Sequence, residues 1–174
     1  MIIFTDGSHS TKPQMSGFGA VIIYKGREHR FGTYSELCRD NNVAEIGAIA
    51  MAVQYVVDNK ILETMADKTI TFISDSENAL RKIIQQAKGN DDFERKCLEN
   101  IQNFIKRSGK KVKFMQIKGH VHDGTKLSYY NNDADILAGE YRKLGLELHY
   151  ANAGKKKKKK KSWYKKFGGN GIND

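Results

Sequence analysis

Four acidic residues lie at the ends or edges of apolar segments of this chain, and they limit the folds that it can adopt. Asp6 directly follows a short apolar run, and Asp75 directly follows the segment Thr69–Ser74. Glu45 lies inside an apolar, helix-like stretch, and Asp135 lies where another such stretch opens. A carboxylate is costly to bury without a partner, and hard cations prefer carboxylate oxygens as ligands. The pattern therefore favours a fold that brings the four acids together around a shared cation.

The composition is that of one globular domain. The chain has 174 residues, of which 39% are hydrophobic, so a substantial core is expected. It contains no apolar run of about 18 residues and no signal-peptide pattern after Met1, so neither a membrane span nor secretion is expected. Cys38 and Cys97 lack any metal-binding spacing. We therefore predict that both cysteines are reduced thiols and that the protein is cytoplasmic. If the chain is viral, the compartment is the cytoplasm of the host cell.

The positive charge is concentrated at the carboxyl end. The whole chain carries +10, and residues 151–174 hold nine lysines against one aspartate, which leaves +2 for residues 1–150. Because consecutive lysines repel one another, we predict a folded domain at residues 1–148 and a basic, disordered tail at residues 149–174. The tail is either a solubilising segment or an arm that binds a polyanion. Its candidate nucleic-acid contacts are Lys155, Lys156, Lys157, Lys158, Lys159, Lys160, Lys161, Trp163, Lys165 and Lys166.

The hydrophobic pattern predicts an α/β fold with a five-stranded mixed sheet flanked by helices. Residues 2–4 read as a strand and residues 7–17 as a polar loop, followed by an antiparallel hairpin at 19–24 and 28–34. Residues 43–57 are apolar almost all round, which predicts a buried central helix. The next predicted element is a strand at 69–74 that runs parallel to the first. It is followed by helices at 77–88 and 93–105, the second of which begins after a capping pattern formed by Asp91 and Glu94. The last two elements are a strand at 112–117 and a helix at 133–144.

Six short motifs follow one another in an order and spacing that resemble the type 1 branch of ribonuclease H. The resemblance covers residues 1 to about 146, which is everything but the tail. The motifs are Thr5-Asp6-Gly7-Ser8, Gly17-Phe18-Gly19-Ala20-Val21, Asn41-Asn42-Val43-Ala44-Glu45, Ser74-Asp75-Ser76, Lys118-Gly119-His120 and Asn131-Asn132-Asp133-Ala134-Asp135-Ile136-Leu137-Ala138.

This resemblance implies the ribonuclease H-like fold and hydrolysis of the RNA strand of RNA–DNA hybrids, leaving 5′-phosphate and 3′-hydroxyl ends. It implies that Asp6, Glu45, Asp75 and Asp135 hold two Mg²⁺ ions, one activating water and one stabilising the leaving oxygen. Mn²⁺ is expected to substitute because it prefers the same oxygen ligands. His120 is expected to pass protons near the leaving group or to aid product release.

The resemblance also assigns substrate contacts. Asn41 and Asn42 match an asparagine pair that senses 2′-hydroxyl groups, although they could instead cap the helix that follows. Gly7 and Ser8 are expected beside the RNA, and Asn131 is expected to touch substrate or to cap its own helix. The expected partner is thus an RNA–DNA hybrid, bound by a monomer without a membrane, and association with replication proteins is left open.

The chain departs from the family pattern in ways that bear on how it grips substrate. Asp40 stands where many members place a small hydroxyl residue against a DNA phosphate, and a carboxylate there would repel phosphate. The stretch between Asp75 and Lys118 is too short for the basic protrusion of many bacterial members, and we expect no amino-terminal hybrid-binding domain. We therefore expect the lysine tail to supply affinity. The alternatives are an inactive binding module, a related two-metal nuclease and a nuclease that works with a polymerase partner.

Overall fold

The computed structural model describes residues 1–119 and 123–167, and for residues 154–167 it describes the backbone alone. Five strands form one sheet in the order β3-β2-β1-β4-β5. The strands are β1 (Ile2–Thr11), β2 (Gln14–Tyr24), β3 (Arg27–Ser35), β4 (Thr69–Ser74) and β5 (Lys111–Gln116). The helices are α1 (Asn41–Asp58), α2 (Glu77–Ile84), α3 (Asp92–Arg107) and α4 (Lys126–Phe167), with a short 3-10 turn at Ile61–Thr64.

The sheet is mixed, as the sequence predicts. β1, β2 and β3 pair in antiparallel fashion, whereas β4 runs parallel to both β1 and β5. The antiparallel part follows from tight turns between consecutive strands, and the parallel part follows from the crossovers through α1 and through α2 and α3. The predicted fold class, the antiparallel pairing of β2 with β3 and the parallel pairing of β4 with β1 are therefore confirmed.

The two faces of the sheet bury different sets of side chains, because successive residues of a strand point to opposite faces. On one face Ile3 and Ile22 pack with Ile46 and Ile49 of α1, which is buried along most of its length as predicted. On the other face Phe4 and other apolar side chains of the sheet pack against α4. Gly19 of β2 lies so close to α4 that a Cβ there would overlap the Ala134 carbonyl oxygen. This close approach packs the third turn of α4 directly against β2.

The predicted loop at residues 7–17 is wrong, because this segment forms the far halves of β1 and β2. Ser8 pairs with Gly17 and His9 pairs with Ser16 in a continuous antiparallel ladder. The turn between the strands contains Pro13. Backbone pairing across a hairpin does not require apolar side chains, so the polar composition concealed the strands.

Two helices end elsewhere than predicted. α2 ends at Ile84 rather than at residue 88, and Gln86 shortly beyond it has a left-handed backbone with φ 53°. α4 runs from Lys126 to Phe167, whereas the sequence predicts a helix at 133–144 and a disordered tail. Residues 149–167 contain no proline and many lysines, and lysine is a good helix former. The domain boundary at residue 148 stays a prediction. No helix in the described part of the chain is both long and apolar enough to cross a membrane.

Candidate active site

Two of the four acids lie side by side just beyond the parallel pairing of β1 with β4, where β4 ends and β1 continues to Thr11. Phe4 of β1 pairs with Ile73 of β4, so Asp6 and Asp75, each two residues further on, lie next to each other. Asp6 is 6% exposed, and Asp75 directly follows the last residue of β4. Parallel pairing thus brings together two carboxylates that are far apart in the chain.

The third acid comes from α1, which packs over β1. Asp6, Glu45 and Asp75 each offer a carboxylate oxygen, and these three atoms all lie within 4.8 Å of one another. The buried Glu45 carboxylate accepts a hydrogen bond from the Gly7 N–H at 3.2 Å and one from Asn41 Nδ2 at 3.5 Å. The three oxygens therefore form a compact group that suits a cation with oxygen ligands.

The fourth acid, Asp135, lies near this group on α4. The preceding residue, Ala134, packs on Gly19, and Gly19 pairs with Asp6 in the sheet. The charge of Asp135 also contributes to the raised pKa values of both Asp6 and Glu45. The structure therefore brings all four predicted acids to one site, although they come from β1, α1, the end of β4 and α4.

Burial and mutual repulsion raise the pKa values of two of these carboxyl groups. Burial, followed by repulsion from Asp75 and Asp135, raises the pKa of Asp6 from 3.8 to about 8. Burial and repulsion from Asp6 and Asp75 also raise the pKa of Glu45, and the hydrogen bond from Gly7 only partly opposes them. Packed carboxylates of this kind are unfavourable unless a proton or a cation neutralises them. The donor set is all hard oxygen and fits a divalent cation such as Mg²⁺.

The loop after β5 touches the cluster through its glycine. A Cβ on Gly119 would overlap the Asp75 carboxylate, so any side chain there would displace that carboxylate from its present position. His120 follows directly, but residues 120–122 lie outside the described residues, and its role stays a prediction. Gly119 therefore joins the loop that carries His120 to one of the acids.

The polar residues around the cluster differ in their exposure and in whether they cap a helix. Asp40, and not an asparagine, caps α1 by accepting a hydrogen bond from the Val43 N–H at 2.9 Å. Asn41 and Asn42 remain exposed in the first turn. Asn131 lies in the second turn of α4 and so does not cap it; it is 5% exposed, and its Oδ1 has no hydrogen-bond partner among the described residues.

The other predicted substrate contacts are less informative. Gly7 is buried beneath α1, and Ser8 is half-buried next to it in β1. The candidate contacts at residues 155–161, 163, 165 and 166 fall within the part of α4 for which only the backbone is described. An ionic network beside the α1 amino terminus was not predicted from the sequence; it joins Arg39 and Lys82 to Glu94. The capping pattern at Glu94 was their one visible signal.

Comparison with known proteins shows the family to which the chain belongs. A family model described as RNase H matches residues 1–143. LC11-RNase H1, isolated from compost and solved in complex with RNA/DNA hybrid, is 23% identical with a TM-score of 0.65, over 83% of this chain and 98% of that chain. RNase H1 from the halophilic archaeon Halobacterium salinarum NRC-1 is 18% identical with a TM-score of 0.60, over 80% of this chain and 95% of that chain. No curated protein matches.

A third similar structure is the N-terminal RNase H domain of rv2228c from Mycobacterium tuberculosis, at 16% identity and a TM-score of 0.60, over 85% of this chain and 96% of that chain. At these identities the solved structures support the fold. The family model spans most of the chain and includes Asp6, Glu45, Asp75 and Asp135. The chain therefore belongs to the RNase H family.

Proposed function

We propose that this chain is an endoribonuclease that hydrolyses the RNA strand of RNA–DNA hybrids and leaves 5′-phosphate and 3′-hydroxyl ends. The observation that carries the proposal is the group of three carboxylate oxygens within 4.8 Å of one another, contributed by Asp6, Glu45 and Asp75. Membership of the RNase H family supports it, as does the shared fold with LC11-RNase H1, which was solved with RNA/DNA hybrid.

Asp6, Glu45, Asp75 and Asp135 would hold two Mg²⁺ ions, and Mn²⁺ would substitute because it accepts the same ligands. When bound, the ions supply Lewis acidity for the attacking water and for the leaving 3′ oxygen. The cluster suits cations because burial and repulsion make its negative charge unfavourable when it is uncompensated.

The protein's own contribution is to fix the carboxylates in advance. The Gly7 N–H donates to one oxygen of Glu45, and Gly119 leaves room for the Asp75 carboxylate. The buried Oδ1 of Asn131 has no hydrogen-bond partner among the described residues and would accept a hydrogen bond from a water molecule or from substrate. His120 would move a proton near the leaving group, a task that suits an imidazole.

Recognition of RNA would depend on groups that read the 2′-hydroxyl, which both donates and accepts hydrogen bonds. Asn41 and Asn42 are exposed, and Asp40 already caps the helix, so their amides are not needed for that purpose. Gly7 and Ser8 would contact the RNA strand as well. The lysines of residues 155–166 would add affinity that does not depend on sequence.

The test is cleavage of matched RNA–DNA, RNA–RNA and DNA–DNA duplexes in Mg²⁺, with Asp6→Asn as the inactive control. We expect cleavage of the RNA strand of the hybrid alone, and end-group analysis should find 5′-phosphates on the products. Cleavage of DNA–DNA or RNA–RNA at a comparable rate would instead indicate another two-metal nuclease. Retention of wild-type turnover by Asp6→Asn would remove the acid cluster from the mechanism.

The Asn41 and Asn42 assignment has its own test. Replacement of both by Ala should weaken hybrid cleavage while leaving metal affinity unchanged. The substrate is a hybrid whose RNA strand carries one 2′-deoxy position next to the scissile bond. The unaltered chain should be sensitive to that change and the double variant nearly indifferent. Equal sensitivity in both proteins would locate the 2′-hydroxyl contact elsewhere.

A further inference from the structure

A third buried carboxylate among the described residues lies outside the acid cluster. Glu94 of α3 is 0% exposed, and its Oε1 accepts a hydrogen bond from Lys82 Nζ at 2.5 Å. Its Oε2 accepts from Arg39 Nη2 and from the Asn90 N–H, each at 2.8 Å. Burial opposes ionisation of Glu94, but the hydrogen bonds from Lys82, Asn90 and Arg39 outweigh it and lower the pKa to about 2. Glu94 is therefore charged throughout the physiological range.

Arg39 connects this buried charge to the beginning of α1. Its Nη2 donates to Glu94, its Nη1 donates to Asp91, and its Nε donates to Asp40 Oδ2 at 3.0 Å. The other oxygen of Asp40 accepts from the Val43 N–H at 2.9 Å and so caps α1. A planar guanidinium with donors in fixed directions holds several carboxylates in one geometry. One set of contacts thus runs from α3 to the first turn of α1.

The residues held by this network directly precede the exposed asparagine pair. Asp40 has an extended backbone, with φ −154° and ψ 175°, and Asn41 and Asn42 follow it in the first turn. Asn41 Nδ2 in turn lies 3.5 Å from Glu45 Oε1 in the acid cluster. A shift of Arg39 or Asp40 would therefore move the asparagine amides relative to the carboxylates.

The charge of the network argues against direct capture of phosphate. It contains two cations, Arg39 and Lys82, against the three carboxylates of Asp40, Asp91 and Glu94, so its net charge is −1. Each of the guanidinium nitrogens of Arg39 already donates to a carboxylate of the network. A network with net negative charge repels a polyanion. The buried charge of Glu94 is costly, and a positioning role explains it better than direct binding of phosphate does.

We propose that Glu94 and Arg39 are positioning residues that fix the Asn41–Asn42 pair for recognition of the RNA 2′-hydroxyl. The inference rests on the proposed function. It assigns the selectivity for RNA to contacts between α3 and the loop before α1 as well as to the asparagines. Because small displacements of positioned groups cost up to about 10²-fold in rate, loss of the network should reduce discrimination by at least about tenfold.

The experiment compares two hybrids, one with an unmodified RNA strand and one with a single 2′-deoxy position next to the scissile bond. The measured quantity is the ratio of kcat/KM for the two hybrids, for the full chain and for Glu94→Gln. The matched control is Arg95→Gln, which breaks the exposed Arg95–Asp92 pair on the same helix. We expect the ratio to fall at least about tenfold in Glu94→Gln and to stay unchanged in Arg95→Gln. Titration with Mn²⁺ alone should show equal metal affinity in all three proteins.

The outcomes separate positioning from stability alone. A folded Glu94→Gln variant that loses rate equally on both hybrids, with the ratio intact, would overturn the proposal. If Glu94→Gln does not fold, Arg39→Lys decides the question, since it keeps the charge at a partly exposed position but loses the planar fork. A ratio like that of the full chain in Arg39→Lys would also overturn it. Absence of hybrid cleavage by the full chain would overturn the proposed function and this inference together.

Discussion

Replacement of Asp6 by Asn should abolish hybrid cleavage and at the same time stabilise the metal-free protein. Burial and the charges of Asp75 and Asp135 raise the pKa of Asp6 from 3.8 to about 8. The folded state therefore binds a proton that the unfolded state has released at neutral pH, and folding carries the cost of that proton uptake. An asparagine has nearly the same shape and no charge, so it removes this cost.

The magnitude follows from the pKa shift. One pKa unit corresponds to about 1.4 kcal/mol. At pH 7 the pH is about three units above the pKa of the carboxyl group in the unfolded chain, whereas the folded carboxyl group is still protonated. The ceiling on the gain is therefore about 4 kcal/mol. The cost is absent below about pH 4, grows as the pH rises, and becomes constant above the folded pKa of about 8. A gain of only 2 kcal/mol would raise the melting temperature by about 4–8 °C.

The assay is thermal unfolding in a chelator from pH 4.5 to pH 8.5. The matched control is Asp58→Asn, at an exposed position on the same protein, which should change stability by less than about 1 kcal/mol. Added Mg²⁺ should then stabilise the unaltered chain more than the Asp6 variant, because a ligand stabilises the state that binds it. The reasoning is refuted if the variant is no more stable than the unaltered chain at pH 8, or if the difference does not depend on pH.

Three further predictions concern the loop after β5 and the tail. Gly119→Ala should displace the Asp75 carboxylate and weaken Mn²⁺ binding at least about tenfold. The control is Gly139→Ala, where a Cβ meets no described atom and Mn²⁺ affinity should not change. Equal Mn²⁺ affinities of the two variants would contradict the prediction. Truncation after Asn152 should flatten the salt dependence of hybrid binding in Ca²⁺. The slope of log affinity against log salt concentration should fall by about 0.9 for each lost phosphate contact. If the full and truncated chains have the same slope, the tail is a solubility segment. His120→Ala should slow single-turnover cleavage about 10²-fold or less, and complete inactivity would exclude a role limited to proton transfer.

Much of the architecture was predictable because it depends on local patterns. The continuous apolar stretch of α1 predicts a helix buried on all sides, and α1 is buried along most of its length. The tight turns and the intervening helices predict which strands are antiparallel and which are parallel. The placement of the four acids beside such apolar segments limits where a shared site can lie. In the structure Asp6, Glu45 and Asp75 form one group where β4 ends, with Asp135 nearby on α4.

The errors arose where structure depends on contacts that are distant in sequence. The polar far half of the hairpin at residues 7–17 is ordered by backbone pairing, with His9 opposite Ser16, and this leaves no hydrophobic signature. The expected repulsion between Asp40 and a DNA phosphate stays a prediction. The structure adds that Asp40 caps α1 and pairs with Arg39.

The sequence by itself determined the chemistry that this protein has available: hard oxygen ligands beside apolar segments, two amides at the start of an apolar helix, and a concentrated positive charge at the carboxyl end. Only the tertiary structure decided how these groups act on one another. The 4.8 Å grouping of three carboxylates, the raised pKa of Asp6 and the ion pair of Arg39 with Glu94, 55 residues away, all depend on how helices pack on the sheet. Periodicity is a local property of a chain, whereas the distance between side chains and their removal from water are set by packing.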